Sequence, residues 1–296
     1  MDELFNFFHT HKQKIIPLLV GMIILDAWLW VYIGRPFQHG DELAMHFLDV
    51  GQGDSELIVF PTGVTMLIDG GPAKGNVSAA ISSVLSPVQR TIDLMVLTHA
   101  QSDHMEGLID VLRRYRVRAI IWSGVAGSGP AFSEFMSTVR AQNIPMYSLK
   151  QGDSIRNADN NVRILSPNDT TLKSKDVNDS SLIFSVFSAS TTALFTADAS
   201  ARILSDIAKY NPFHADIIKV PHHGSRTSVS QSFLSIIRPV IAIIEVGKNS
   251  YGHPTQEALS SLSEYATNIL RTDERGTISI RVGSDRKARI STSKSF

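Results

Sequence analysis

Apolar and polar positions along this 296-residue chain follow two different patterns. Residues 15–34, "IIPLLVGMIILDAWLWVYIG", form an almost unbroken apolar run whose single charge is Asp26. At helical rise the run is long enough to cross a hydrocarbon core of about 30 Å. Trp28, Trp30 and Tyr32 gather near one end, where an interfacial aromatic belt places such rings. Asp26 would cost about 2.5–3.5 kcal/mol at the centre of a span, so the segment is a good span and not an ideal one. A cleaved signal peptide or a buried core helix would show a similar run, but no small-x-small site follows Gly34 and the run exceeds a signal h-region. The pattern predicts a short tail over 1–14, an uncleaved transmembrane anchor over 15–34 and a polar linker over 35–42. Lys12 and Lys14 precede the run, while Arg35 is followed by Asp41 and Glu42. That asymmetry favours a cytoplasmic N-terminus, a single pass and a remaining chain outside the cytoplasm.

Over residues 43–296 short β-type runs alternate with stretches of helical spacing. "AMHFLDV", "ELIVF" and "TMLIDGG" read as three strands, the latter two joined by a Pro61-Thr62-Gly63 turn. A helix over 77–85 leads into the strand "DLMVLTH", and Leu108, Val111, Leu112 and Tyr115 put a helix over 105–115. Further strands are expected at 119–122, 162–165, 182–187, 193–196, 216–220 and 240–246. Further helices are expected at 131–142, 201–209, 230–236 and 255–266, with 167–179 a polar loop. Strand runs interspersed with helices indicate an α/β domain of two packed sheets with helices outside.

Composition limits the chemistry. Lysine plus arginine and aspartate plus glutamate both number 28, so no global positive field advertises a polyanion partner, and any such site must be local. The absence of cysteine removes disulfides, zinc-thiolate sites and thiol nucleophiles, leaving histidine and carboxylate as the metal donors. Such residues recur at predicted strand ends: Asp49, Asp69, His99, Asp198, and His222 with His223. A site assembled at one edge of the sheets would produce this recurrence. Adjacent Asp103 and His104 at a helix start can turn toward one cation, Asp198 could bridge two ions, and His222 would add an imidazole. Two ions about 3.5–4 Å apart polarise a phosphoryl oxygen and activate water near neutral pH, which is hydrolysis without a protein nucleophile.

The motifs "FLDVGQGDSELI", "MLIDGG", "LTHAQSDHMEGL", "LFTAD", "DIIKVPHHGSRTS" and "VGKNSYGHP", in this order, resemble the metallo-β-lactamase-fold domain of ComEC-type competence (DNA-uptake) proteins. The resemblance implies a four-layer αββα sandwich and a metal-dependent hydrolase, most often a phosphodiesterase or nuclease. It places metal ligands at His99, Gln101, Asp103, His104, Asp198 and His222, with His223 as a substitute for His222 and Asn178 near a further ligand position. Ala197 stands where the family has glycine. Gln101 stands where the family has histidine or aspartate, and its neutral amide is a poorer donor. One firm Zn2+ or Mn2+ site is therefore expected, with a second weak or absent.

Asp103 and His253 are the expected catalytic residues, His253 as leaving-group acid or phosphate donor. His223, Ser225, Arg226 and Lys248 are expected to bind substrate, with Arg226 suited to bidentate phosphate contact. "GQGD", residues 51–54, reads as a tight turn shaping the floor of the site. Arg113, Arg114, Arg116 and Arg118 read as a solvated face more readily than as a nucleic-acid track. The expected protein is a membrane-anchored hydrolase that cleaves single-stranded DNA by metal-activated water, with membrane lipid, nucleic acid and a separate uptake channel as partners. The alternatives are a metal-poor binding module of the same fold, or a hydrolase of small esters, lactones or envelope phosphodiesters.

Overall fold

The structure is a computed structural model and describes residues 2–34, 42–210 and 212–294. It divides into two compact units, residues 1–38 and His39–Phe296. Except for Glu42, the expected linker over 35–42 lies outside the described residues. The first unit is one helix, α1 (Asp2–Gly34), which takes in the expected tail as well as the apolar run. Its stretch Gln13–Val31 is long and apolar enough to cross a membrane. Leu18, Leu19, Ile23, Ile24, Leu25, Trp28 and Trp30 are exposed, so protein packing does not explain their apolar character.

The second unit runs β1 (Leu43–Phe47), β2 (Glu56–Val59), β3 (Thr65–Ile68), α2 (Val77–Val84), β4 (Thr91–Leu97), α3 (Ser102–Arg114), β5 (Arg116–Trp122), α4 (Pro130–Ala141) and β6 (Met146–Ser148). It continues with β7 (Ser154–Asn157), β8 (Asn160–Ser166), β9 (Ile183–Ser188), β10 (Thr191–Phe195), α5 (Ala201–Tyr210), β11 (Ile217–Lys219), α6 (Gln231–Ile237) and β12 (Ile241–Ile244). It closes with α7 (Gln256–Ser263), β13 (Asn268–Arg271), α8 (Thr272–Arg275), β14 (Ile278–Val282) and β15 (Ala288–Thr292). One sheet has the order β15-β14-β1-β2-β3-β4-β5-β6 and the other β13-β12-β11-β10-β9-β8-β7. The polar stretch 167–179 contains a 3-10 turn at Thr171–Lys173 and leads into another at Val177–Ser180.

Three apolar clusters define four layers. Phe47, Met66, Ile68 and Val96 of the first sheet meet Phe184, Phe195, Ile217 and Ile243 of the second. Phe195 stacks on Phe47 and Phe184, with ring centroids 6.1 and 5.3 Å apart. On the outer face of the first sheet, Ile81 of α2, Leu108 and Leu112 of α3 and Phe135 of α4 cover Leu67, Met95 and Ile120. On the other outer face, Leu204 of α5, Phe233 of α6 and Leu262 of α7 cover Leu194, Ile218 and Ala242. Central strands such as β4 are thus buried on both faces, which is why "LMVL" is continuously apolar and does not alternate. The result is the αββα sandwich expected from the motifs.

In each sheet the strands that carry chemistry are parallel: β3 with β4, β10 with β11, and β11 with β12. Their carboxyl ends therefore open on one edge, where ligands bind in open α/β sheets. Asp69 and His99 follow β3 and β4; Asp198, His222, His223 and Glu245 follow β10, β11 and β12.

Candidate metal centre

The first turn of α3 is fastened by close backbone contact. Asp54 N donates to Asp103 O at 3.1 Å, Gly70 N to His104 O at 2.6 Å and Gly107 N to Gly71 O at 2.9 Å. A Cβ on Gly107 would lie 1.9 Å from Gly70 O, so this approach requires glycine. "GQGD", "DGG" and "DHMEG" thus act together to fix Asp103 and His104. On the facing sheet, Ala197, His222 and His223 adopt left-handed backbone, with φ of 47°, 49° and 53°, and Asp69 does so with φ of 50°. Each costs about 1 kcal/mol or more, and such strain concentrates where a side chain must be aimed.

Asp103, His104, Asp198 and His223 each bring a ligand atom to within 4.8 Å of the others. Asp198 Oδ2 lies 3.4 Å from His104 Nε2 and 3.7 Å from His223 Nε2, and Asp103 Oδ2 lies 3.5 Å from His223 Nε2. The outward nitrogens are occupied: His104 Nδ1 donates to Asp69 Oδ2 at 2.7 Å, and His223 Nδ1 to Glu245 O at 2.8 Å. This leaves His104 Nε2, His223 Nε2 and Asp198 Oδ1 buried and without hydrogen-bond partners. Two orphaned imidazole nitrogens that converge on the carboxylates of Asp198 and Asp103 make a two-imidazole, two-carboxylate set that fits a divalent cation. The outer carboxylate and carbonyl fix the imidazole tautomers as they do around bound metals.

The electrostatics agree. Burial works against a charged His223, but the carboxylates of Asp198 and Asp54 outweigh it and raise its pKa to about 10. His104 is likewise carried well above the usual value against burial, by Asp198 and Asp54. Burial opposes ionisation of Asp103, yet the nearby imidazoles of His223 and His104 bring it down to about 2. Asp198 is held well below the carboxylate range, also against burial, by His104 and His223. The site is a negative field that draws positive charge, whether protons or a metal ion.

His99 and Gln101 are differently placed. Thr98 Oγ1 donates to Asp69 Oδ2 at 2.5 Å, which makes it the acceptor for His99 Nδ1 at 3.0 Å. His99 Nε2 then carries the lone pair, and it faces the Gln101 amide at 3.1 Å, where a half-turn of the amide presents its NH2. Burial first, and the His104 charge second, lower the His99 pKa to about 4, so the ring is neutral. Its donor nitrogen is capped by the amide. Asn178 has a buried, unpartnered Oδ1.

Beneath these ligands lies a group that the sequence analysis did not assign. Lys219 is 1% exposed, and its ammonium pairs closely with Asp54, donates to Ala197 O at 3.1 Å and stands 3.7 Å from Asp198 Oδ1. Asp54 Oδ1 in turn lies 3.2 Å from His223 Nδ1. Burial would raise the Asp54 carboxyl; Lys219, with His223 and His104, overrides it and holds it below the usual value. Glu56 and Glu245 are buried beside it, and burial together with neighbouring carboxylates raises both, so this pair retains a proton. The "GQGD" turn does more than shape a floor, because Asp54 links Lys219 to His223. The sequence signal was a lone lysine inside the apolar run "IIKV".

A cavity of about 360 Å³ opens above the cluster, lined by Gln52, Gln101, Ser102, Asp103, Asp198, His222, His223, Tyr251 and His253. His222 is partly exposed, its Nε2 is 3.7 Å from Asp198 Oδ2, and it stands outside the four-residue donor set in which His223 takes part. The back-to-back left-handed residues send the two rings in different directions, and the Glu245 carbonyl holds the ring of His223. His253 Nδ1 is buried and unpartnered; burial first, then His222 and His223, lower its pKa, so the ring is neutral at neutral pH. Ser225, Arg226 and Lys248 are not brought to the cavity. Ser225 is buried with its hydroxyl 3.0 Å from Thr227 Oγ1, and Arg226 and Lys248 are exposed. Asp49 pairs with Lys294 at 2.9 Å. Arg113, Arg114 and Arg118 pair with Glu134, Asp110 and Asp93, as a solvated face would.

Residues 48–247 match the metallo-beta-lactamase superfamily. ComE operon protein 3 of Bacillus subtilis is 29% identical over 289 residues, covering 91% of this chain and 37% of that protein. Recombination protein 2 of Haemophilus influenzae is 28% identical over 283 residues, covering 94% of this chain and 33% of that protein. The chain thus spans little more than a third of the length of these relatives. Among solved structures, the metallo-beta-lactamase fold protein YhfI from Bacillus subtilis superposes with a TM-score of 0.55 at 9% identity, covering 80% of this chain and 99% of that one. CmlA, a diiron beta-hydroxylase from Streptomyces venezuelae, superposes with a TM-score of 0.53 at 12% identity, covering 81% of this chain and 54% of that one. At such identities the likeness concerns the fold alone. With the sandwich, the edge site and a match over residues 48–247, the chain belongs to the metallo-beta-lactamase superfamily, a family of generally metal-dependent hydrolases.

Proposed function

We propose that this protein is a membrane-anchored, metal-dependent phosphodiesterase that hydrolyses single-stranded DNA outside the cytoplasmic membrane. The observation that carries the reading is the convergence of the buried, unpartnered His104 Nε2 and His223 Nε2 on Asp198 Oδ2, with Asp103 beside them at an open cavity. A divalent ion, zinc or manganese, held by Asp103, His104, Asp198 and His223 would supply Lewis-acid polarisation of a phosphoryl oxygen and a lowered water pKa. The chain's own residues do the rest. Asp103, ionised at neutral pH, accepts a hydrogen bond from water approaching phosphorus and orients it. His253, neutral with a free ring nitrogen, suits a proton acceptor better than the leaving-group acid expected from the motif. Gln52, Gln101 and Ser102 offer neutral hydrogen-bonding groups to phosphate and sugar.

A cavity of about 360 Å³ is at the small end of ligand sites, room for a phosphodiester and about one nucleoside, so a longer strand would lie across its mouth. The names of the relatives, a ComE operon protein and a recombination protein, support DNA as the substrate. The exposed apolar stretch Gln13–Val31 supports the anchor. The capping of His99 by Gln101 keeps a second reading alive, a domain that binds metal poorly and does not turn over.

The test is manganese- or zinc-dependent cleavage of end-labelled single-stranded DNA by the full chain in detergent, beside Asp198→Ala and a chelator-treated sample. Cleavage by the parent alone supports the reading. Equal cleavage by Asp198→Ala refutes the metal mechanism, and a folded, metal-loaded parent that leaves DNA intact refutes the substrate.

A further inference from the structure

We propose that Tyr251 is a stacking platform for the base of the nucleotide flanking the scissile phosphate, and thereby selects unpaired, base-bearing strands. The inference rests on the phosphodiesterase reading above and adds to it the residue that recognises the base. Tyr251 lines the cavity yet is 74% exposed, the largest exposure among the large apolar side chains of the described residues. An aromatic ring left in water gains nothing for folding, and burial of such a ring is worth a few kcal/mol, so its position at the mouth calls for a ligand.

The loop that carries it is built to hold it still. Asn249 Oδ1 accepts from Tyr251 N and His253 N, both at 3.1 Å, while Asn249 Nδ2 donates to Gly247 O at 2.9 Å and His253 O at 2.8 Å. One side chain thus closes residues 247–253 into a single turn. Gly247 N donates to Gln52 Oε1 at 3.2 Å, and Thr255 N donates to Gly224 O at 3.0 Å, tying both ends of the turn to loops of the site. The Tyr251 ring stands 5.8 Å from that of His253 at an interplanar angle of 31°, and His253 stands 5.7 Å from His222. His222 in turn stands 6.1 Å from His223, so a row of rings leads from that ligand to the exposed tyrosine. Tyrosine has few rotatable bonds, so a ring carried on a backbone fixed in this way binds at small entropic cost.

The cavity admits about one nucleoside, so a neighbouring base of a strand entering it has to lie outside, and Tyr251 presents an aromatic surface there. Stacking tolerates any base but needs one that is not already stacked in a duplex. The residue would select single strands without reading sequence.

The test is a cycle in the full chain, Tyr251→Ala and Tyr251→Phe beside the parent, on an end-labelled oligothymidylate and on its base-free tetrahydrofuran counterpart. Both kcat/KM and equilibrium binding by fluorescence anisotropy are measured. Stacking losses on alanine substitution correspond to about five- to 150-fold, and an open rim belongs at the lower end. Tyr251→Ala is expected to weaken the base-bearing strand about five- to tenfold more than the base-free strand, with Tyr251→Phe close to the parent. Equal penalties on the two strands, with the parent cleaving both, overturn the role of Tyr251 and leave the phosphodiesterase reading standing. A parent that neither binds nor cleaves either strand overturns both.

Discussion

Replacing Lys219 by methionine removes the only cation beneath the metal ligands among the described residues while keeping an unbranched apolar stem of similar length. The ammonium is fully buried, pairs with Asp54, bonds Ala197 O and stands 3.7 Å from Asp198 Oδ1. Those carboxylates are themselves buried, so the variant leaves them with only imidazole partners. Breaking a buried pair by removing one member costs about 3–5 kcal/mol, a large part of a domain stability of about 5–15 kcal/mol. With a urea slope of about 3 kcal/mol/M, the upper value for small proteins and apt for a unit of this size, the midpoint should fall by about 1–1.7 M. Urea titration followed by far-ultraviolet circular dichroism, in detergent and chelator, reads the shift. Asp54→Leu added to Lys219→Met should restore part of the loss, because an apolar pair replaces an uncompensated charge. A shift below about 0.3 M in Lys219→Met, or no recovery in the double variant, would refute the view that Lys219 balances this acidic floor.

Gly107→Ala places a Cβ 1.9 Å from Gly70 O and should destabilise the unit by about 1–3 kcal/mol, seen as a lowered Tm, while displacing His104 and weakening metal binding. An unchanged Tm would contradict the close-contact argument. Gln101→Asp replaces the amide that caps His99 with a carboxylate and should raise the metal content from about one ion per chain toward two by elemental analysis; an unchanged content would mean that other groups close the first pocket. Against burial, the Asp198 and Asp54 carboxylates raise the His223 pKa from 6.5 to about 10 in the metal-free protein, so its charge stabilises that form fully below pH 6.5 and the benefit is lost as pH rises through 10. Metal must displace this proton, so apparent metal affinity should rise with pH over that window, and calorimetry in buffers of different ionisation enthalpy should detect proton release. A pH-independent affinity would show that His223 is not a ligand.

Much of the fold was legible because local pattern and burial agree. The continuous apolar runs of β4 and β12 are buried on both faces, and the α3 spacing matches its packed stripe. The strands that escaped the sequence analysis are edge or near-edge elements. β15, "ARIST", is mostly exposed, and β7, "SIRN", has no buried residue, so neither shows the apolar alternation by which strands are recognised. In the site, Asp103, His104 and Asp198 stood out by motif and spacing. The preference for His223 over His222 did not, because it depends on two consecutive left-handed residues and on which ring the Glu245 carbonyl holds. Lys219, Asp54 and Glu245 were hidden for a related reason: each reads as an isolated charge in its own strand or turn, and only the packing of the two sheets brings them together. Ser225, Arg226 and Lys248 look like phosphate ligands in sequence, but none of them is among the residues that line the cavity.

The most direct measurement is an isothermal metal titration of the full chain beside His223→Ala and His222→Ala. About one Mn2+ or Zn2+ per parent chain is expected, with loss of binding in His223→Ala and retention in His222→Ala. Loss in His222→Ala with retention in His223→Ala, or no binding by the folded parent, would contradict this expectation.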